Sequence, residues 1–587
     1  MELTIKRRFN EKDLPDLASI KAEAEKIAKK TTIGESLFMK TYHVKSEAEY
    51  KKKMMSPEHF RIMKHSHIGW NSVDYTAKGF HQIYDTLLMT GSYIDRLGVC
   101  LDGTMGLPEK YRDRMQVGSG QVYKTPDEWK ILNQQVPVQV HMGDHMIGSL
   151  NSTENTVNAL EAGVTTIGNI SHYFSYEYPG FDMEEDRTIN YIRAIAIMGY
   201  FREQGTIIHS NLDDGFGAQL HDLANLAGWA RFERYVVEDL IGAGMGHCFG
   251  NLFSDPMTRI VFSKAMWDIN TFKTPGSMIY GNTTDFGLNI PKNYGALCSF
   301  SMADIIGQMK WPTGHAVTAV PVTEAIRVPS PEEIIDAEHV LDIMIEKAGN
   351  YAQYINFEAL QERANVLNAA GNTFFERLIN AMDDLGVDIT HPGQVVAIAK
   401  AMGTEQMEIN FGAGKKDEKA IRSRVPVYPT DIIRTVRNIQ DDTLSHIQGL
   451  EEHPLEGINI VIGCTDIHVF GKEVIKRILI EAGANVYDLG DATSIKEFAD
   501  TLLETESKVL LISTYNGLAY SYGKDMIEEL KARGMDDVKV LMGGRLNETM
   551  EGEDIPVDVT KELEEMGIDA SNNAETICQT ILDACNA

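Results

Sequence analysis

The strongest chemical pattern in the chain is Asp466-x-His468-x-x-Gly471, within the run CTDIHVFGK. A neutral imidazole nitrogen is a good ligand for a transition metal, and a carboxylate two residues away can accept the other ring N–H and fix the tautomer. Glycine three residues further on removes a side chain where a bulky group must pass. Ser513 follows after 41 intervening residues, and Gly543-Gly544 stands 27 residues beyond Tyr515. A second set of polar residues lies far upstream, at or near the ends of short β-prone runs: His65, His67, Asp102, His141, Asn169, His209, His247, Asn282 and Glu324. Asp144, His145, His172, Tyr173 and Tyr176 lie just beyond them. Four or more histidines at such places exceed what a core needs, and His65-Ser66-His67 is the motif that could carry a catalytic metal.

Those runs are RIMKHSH (61–67), RLGVCLD (96–102), VPVQVH (136–141), VTTIGN (164–169), GTIIHS (205–210), AGMGHCF (243–249), GSMIYGN (276–282) and AVTAVPV (316–322). They begin roughly 30–40 residues apart, the spacing of βα units, and eight of them predict a closed (β/α)8 TIM barrel. From 331 the texture changes to helices: PEEIIDAEHVLDIMIEKAG, then INFEALQERANVLNAAGNTFFERLINAMDDLG, then PGQVVAIAKAMG, expected to stop at its glycine. The polar run at 412–431 reads as a connector. After about 455 an α/β rhythm restarts with INIVIG, NVYDLG, KVLLIST, VKVLMGG and a short PVDVT as five strands, which predicts a flavodoxin-like, Rossmann-type domain. The expected fold class is therefore α/β, with an N-terminal helical segment (1–55), a barrel (56–330), a helical connector (331–450) and a terminal domain (451–587).

The chain has 587 residues, and 55 Lys plus Arg against 85 Asp plus Glu give a net charge of −30. A nucleic acid or an anionic membrane surface needs clustered cations that such a surface opposes, so neither is an expected partner. No stretch approaches the roughly 20 apolar residues of a membrane span, and the start MELTIKRRFNEKDL does not read as a targeting peptide. A cytoplasmic location and a homo-oligomer are the expectations. Six scattered cysteines without a CxxC pair support neither a disulfide framework nor a cysteine zinc site.

With Asp466, His468 and Gly471 followed by Ser513 and Gly543-Gly544 at these distances, the terminal domain resembles the cobalamin-binding domain shared by adenosylcobalamin mutases and methylcobalamin-dependent methyltransferases. The family pattern is DxHxxG, SxL and GG; Tyr515 stands where the pattern has Leu. The resemblance implies cobalt ligated axially by His468, oriented by Asp466. It implies Ser513 bonding the displaced base, and Gly471, Tyr515, Gly543 and Gly544 along the slot for the nucleotide tail.

The barrel resembles the catalytic component of glutamate mutase, most clearly in VPVTEAIRVPSPEE (320–333) and EINFGAGKK (408–416). On that resemblance Glu324 holds the adenosyl ribose, His67 and His141 occupy two of the three places where the family grips carboxylates with arginines, and the third falls in LDGTMG, near Asp102. The family's ammonium-binding glutamate falls near Thr166, so a substrate without an amino group is expected. Tyr173 and Tyr176 would pack against it. The resemblance thus implies an adenosylcobalamin-dependent radical isomerase for a small branched dicarboxylic acid, similar to 2-methyleneglutarate mutase, which forms 3-methylitaconate. Another glutamate-mutase-like enzyme, a corrinoid methyltransferase and a non-catalytic cobalamin carrier are the alternatives.

Overall fold

The computed structural model describes residues 9–586 apart from 116, 119, 179, 180, 182, 419, 448, 467, 491, 492, 516, 549 and 551–555, so the first eight residues of the expected N-terminal segment lie outside the described residues. The chain divides into two compact units, with the main break between Asp431 and Ile432.

The first unit is built on a closed barrel of eight strands: β1 (Lys64–Ile68), β2 (Arg96–Val99), β3 (Gln139–Met142), β4 (Thr166–Ile167), β5 (Ile207–Asn211), β6 (Met245–Phe249), β7 (Met278–Ile279) and β8 (Ala316–Thr318). Every neighbouring pair is parallel, and β8 closes on β1 through Lys64↔Val317 and His65↔Thr318. All eight runs expected as strands supply one.

Strand β1 shows how polar residues occupy a barrel core. Side chains alternate between faces. Lys64 and Ser66 turn outward to Glu338 and Asp342 on the helix Pro331–Ala352, with Lys64 Nζ 3.2 Å from Glu338 and 2.7 Å from Asp342. His65 and His67 turn inward. Gly98 on β2, which pairs with His67, leaves room for them: a Cβ there would lie 2.7 Å from His65 Cε1 and 2.8 Å from His67 Nδ1.

Helix Pro331–Ala352 begins at a capping box between Ser330 and Glu333, with proline in its first turn. Helix Pro392–Phe411 corrects one expectation. It does not stop at Gly403, which takes φ 71° and ψ 160°, but resumes beyond it to Phe411. The run expected as a plain connector contains a small antiparallel pair, Lys415–Lys416 with Arg424–Val425, and is fastened by Asp222, which accepts the N–H groups of Val427 and Tyr428.

The second unit carries a five-stranded parallel sheet of β9 (Asn459–Cys464), β10 (Asn485–Asp488), β11 (Val509–Thr514), β12 (Lys539–Gly544) and β13 (Asp569–Ala570), in the order β10-β9-β11-β12-β13. This is the expected flavodoxin-like arrangement. Ile460, Ile462, Val509 and Leu511 enter one hydrophobic cluster, and Val461, Leu510, Ile512 and Val540 the other, as a sheet covered on both faces requires. The fifth strand is not the one expected. Within PVDVT, Val557–Asp558 pairs antiparallel with Asn547–Glu548, and Asp569–Ala570 takes the sheet edge.

Candidate functional site

In the second unit, β9 ends at Cys464 and the chain turns at Thr465 and Asp466. Asp466 is only 5% exposed, and both of its oxygens are engaged. Oδ1 accepts the N–H of His468 (2.9 Å) and lies 2.6 Å from its ring Nδ1. Oδ2 accepts the N–H of Tyr515 (2.7 Å) and the hydroxyl of Thr465 (3.1 Å). Burial alone would push this carboxyl up; His468 and the backbone N–H groups outweigh it and hold it below its ordinary value. Asp466 thus fixes the imidazole through Nδ1, and the nitrogen that would meet a metal is Nε2. Tyr515 packs on the same imidazole, with ring centroids 4.3 Å apart and a tilt of 37°, and the Arg545 guanidinium lies 5.0 Å from the Tyr515 centroid.

Beside this loop lies a cavity of about 320 Å³ with a mainly apolar wall, lined by Ile462, Gly471, Ser513, Leu541, Gly543, Gly544, Asn572 and Ile577 among others. Two of its positions require glycine: a Cβ on Gly543 would meet the Ser571 carbonyl at 2.8 Å, and Gly544 has φ +102° with the Thr514 carbonyl 2.2 Å from any added Cβ, whereas one on Gly471 would stand in ordinary contact, 3.6 Å from Ser513 Oγ. The expected residues Gly471, Ser513, Gly543 and Gly544 are therefore brought to one slot. Tyr515 is not among its lining residues and instead covers His468. A long, largely apolar group of several hundred Å³ with a polar end suits this slot, and a metal held at its mouth suits His468.

The B12 binding domain family matches residues 459–565. A glutamate mutase sigma subunit of Carboxydothermus hydrogenoformans is 30% identical over 117 residues, which cover 20% of this chain and 83% of that protein. The chain belongs to the B12-binding family. A glutamate mutase sigma subunit of Halobacterium salinarum is 31% identical over 21% of this chain and 83% of its own length. Dimethylamine corrinoid protein 1 of Methanosarcina mazei is 34% identical over 27% of this chain and 69% of its own length. A solved structure described as a novel cobalamin-binding protein from Desulfitobacterium hafniense DCB-2 covers 51% of this chain at 16% identity and a TM-score of 0.19, too low to bear weight. The chain is thus a cobalamin-binding protein, and the B12-binding domain is joined to a complete barrel.

At the carboxyl ends of the barrel strands a second polar cluster forms. Cys100 Sγ lies 2.7 Å from Asp144 Oδ2 and 3.1 Å from His67 Nε2. Asp144 Oδ1 lies 3.2 Å from His172 Nε2 and 3.4 Å from Asn169 Nδ2. Burial, with Asp144 beside it, pushes the Cys100 thiol far up; Asp144 is held well below the usual carboxylate range by His172 against its own burial. Cys100 therefore stays an S–H donor. Deeper in the lumen, His141 Nδ1 lies 3.2 Å from the Thr166 carbonyl, and its ring is 4.4 Å from that of His209. His209 contacts Ser277 Oγ (2.7 Å) and Asn211 Oδ1 (2.8 Å). Beneath them Arg96 donates to Ser277 Oγ (3.1 Å) and pairs with Glu47 at 3.0 Å, and Glu47 pairs with Lys51 at 3.0 Å.

The other expected site residues take different places. Asp102 caps the turn after β2 by accepting the N–H and hydroxyl of Thr104. Thr166 begins β4, and its buried hydroxyl has no hydrogen-bond partner among the described residues. Tyr173 is buried, with its hydroxyl 2.7 Å from Thr188 Oγ1 and its ring stacked on Tyr191 at 4.6 Å. Tyr176 lies in the following loop, 5.2 Å from Tyr178. Glu324, half-buried beyond β8, accepts the hydroxyl of Tyr280, which follows β7. Arg96, Glu47, Lys51 and Cys100 were not singled out for this site. Arg96 alone carried a signal, an arginine opening a strand that had to be buried.

Proposed function

We propose that this chain is an adenosylcobalamin-dependent carbon-skeleton isomerase for a small branched dicarboxylic acid, with 2-methyleneglutarate to 3-methylitaconate as the favoured reaction. The observation that carries the reading is a closed barrel, lined by polar groups and nearly without water-exposed side chains in its lumen, in one chain with a B12-binding domain. Radical chemistry needs such a dry, shaped cavity.

When bound, adenosylcobalamin supplies a carbon-centred radical through homolysis of its cobalt–carbon bond. The residues of this chain would do the positioning. His468 would ligate cobalt through Nε2 while Asp466 holds its Nδ1, and Gly471, Gly543 and Gly544 keep the tail slot open, with Ser513 as its polar contact. Glu324, anchored by the Tyr280 hydroxyl, would accept ribose hydroxyls. In the lumen, burial and the Arg96 charge keep His141 neutral, and burial does the same for His67, so each would meet the substrate without a fixed charge of its own. No side chain is required as a base.

Two measurements test this. The purified chain should bind cobalamin with the spectrum of a base-off, histidine-ligated cofactor, and His468→Ala should lose that spectrum. Cofactor tritiated at the 5′ carbon should pass tritium to 2-methyleneglutarate; absence of exchange with every branched diacid tried would sink the isomerase reading. The second reading, a corrinoid-dependent methyltransferase, is favoured by the similarity to dimethylamine corrinoid proteins. It requires methyl transfer to cobalt and no tritium exchange.

A further inference from the structure

Inside the barrel, three imidazoles meet with ring nitrogens left over. His65 and His141 are 0% exposed, and neither nitrogen of His65, nor Nε2 of His141, nor Nδ1 of His67 has a hydrogen-bond partner among the described residues. The His65 ring centroid lies 6.1 Å from that of His67 and 6.3 Å from that of His141. Buried polar atoms without partners are rare and costly, so a group of four in one lumen points to a ligand.

The bonds that these rings do make fix what they present. The Thr166 carbonyl can only accept, so His141 carries its proton on Nδ1 and turns a lone pair on Nε2 into the lumen. Cys100 gives its S–H to Asp144, so its sulfur accepts from His67 Nε2–H, and His67 Nδ1 is a second lone pair. Neutral His65 adds one N–H and one further lone pair. Glycine keeps the space beside them open: a Cβ on Gly98 or Gly143 would come within 2.8 Å of His67 Nδ1 or 3.4 Å of His141 Nε2.

Hydrogen-bonding chemistry narrows the occupant, because Lys51 and Arg96 stand against Glu47 and the ionised Asp144 and leave the groups around the lumen balanced in charge. Among the described residues no group of three His, Cys, Asp or Glu is placed to hold a metal ion. Yet a carboxylate only accepts hydrogen bonds, and three lone pairs would repel it. A carboxylate that arrives with a proton gives one hydrogen bond to a lone pair and still accepts the N–H of His65.

We infer that His65, His67 and His141 form a cradle that takes one substrate carboxylate into the barrel lumen together with one proton. The inference rests on the reading of the barrel as a dicarboxylic acid site and names His65 as the third anchor, in place of the loop that carries Asp102. The proton comes from solvent and is shared between His141 Nε2 and a carboxyl oxygen; no bond to carbon forms or breaks. The charged and titratable groups facing the cradle are Arg96 on β2, Cys100 just after it, His209 on β5, Asp144 after β3, and Glu47 and Lys51 on the helix Glu47–Met55.

Calorimetric titration of the full chain with 2-methyleneglutarate and with glutarate, in two buffers of different ionisation enthalpy above neutral pH, counts the proton. About one proton should be taken up per diacid, with affinity weakening about tenfold per pH unit. His141→Gln should abolish the uptake and His65→Asn should weaken binding at least tenfold, each in protein whose circular dichroism matches the parent. Should both variants fail to fold, the proton count of the unaltered chain decides. Binding without proton uptake, uptake unchanged in both folded variants, no binding of either diacid at millimolar concentration, or a stoichiometric metal on these histidines would overturn the cradle. Tritium exchange without proton uptake removes the cradle and keeps the isomerase; uptake without exchange does the reverse.

Discussion

Asp466 shows how a single buried carboxylate organises a cofactor loop. Its four hydrogen-bond donors come from Thr465, from His468 twice, and from Tyr515. An amide in its place would keep the size but turn an NH2 group toward either the His468 or the Tyr515 donors. Asp466→Asn is therefore expected to weaken cobalamin binding about 10–100-fold, the usual effect of losing the group that orients a ligating histidine. An absorbance titration with cobalamin measures it, and an unchanged affinity would show that His468 does not depend on Asp466. Gly543→Val acts differently, because its side chain would enter the slot where the Ser571 carbonyl already stands 2.8 Å from a Cβ.

Helices of the barrel shell meet through glycine as well. Leu223–Arg234 and Phe357–Asp384 approach so closely that a Cβ on Gly371 would lie 2.8 Å from Gly228 N and one on Gly228 would lie 2.4 Å from Gly371 O. Gly371→Leu should cost roughly 1–3 kcal/mol by overpacking, read as a lower midpoint in denaturant unfolding; no change would mean that the helices can part freely. The elements were legible to different degrees. The eight barrel strands could be read because each βα unit repeats the same length and ends in a polar or small residue. The terminal sheet's last strand could not, because Asp569–Ala570 is too short to show a period, whereas PVDVT alternates like a strand and pairs outside the sheet. Gly403 carries a stop signal, but a single residue leaves helical geometry before the helix resumes. The cobalamin residues were legible because their spacing is fixed by strand ends. Glu47 and Lys51 were not, since what they meet in the barrel, Arg96 for Glu47 and the Gly276 and Ser277 carbonyls for Lys51, is distant in sequence.

For the whole molecule, buried titratable groups decide how stability follows pH. Burial, reinforced for several by neighbouring cations, lowers seven histidines among the described residues: His65, His67, His141, His145, His209, His247 and His315. Unfolded, each binds a proton below about pH 6.5, which the folded chain refuses, so the stability that they contribute is lost as pH falls through that value. Burial raises carboxyls in the opposite sense, most strongly at Asp213, to about 6, Glu338 and Glu408, to about 7, and Glu233, to about 8, while Asp222, Glu238, Asp304, Asp525 and Glu548 are raised as well. Their contribution is present below the unfolded value of about 4 and is lost as pH rises to those folded values. Around pH 6 both sets act, and seven histidines outweigh the four carboxyls raised to about 6 to 8, so stability climbs with pH; above that the histidines are spent and those carboxyls still lower it. The net charge of −30 adds self-repulsion on the basic side. Denaturant midpoints at constant ionic strength, taken from about pH 5 to 9, should peak near about 6.5, with the acid limb steeper than the basic one. A midpoint still rising past about pH 8 would mean that these carboxyls are ionised in the folded chain. Glu408→Gln tests the carboxyl set: the amide oxygen can still accept from Asn225 (2.8 Å) and from His221 N–H (2.9 Å), so the basic limb should flatten and the acid limb should steepen, because one proton that opposes the histidines is removed.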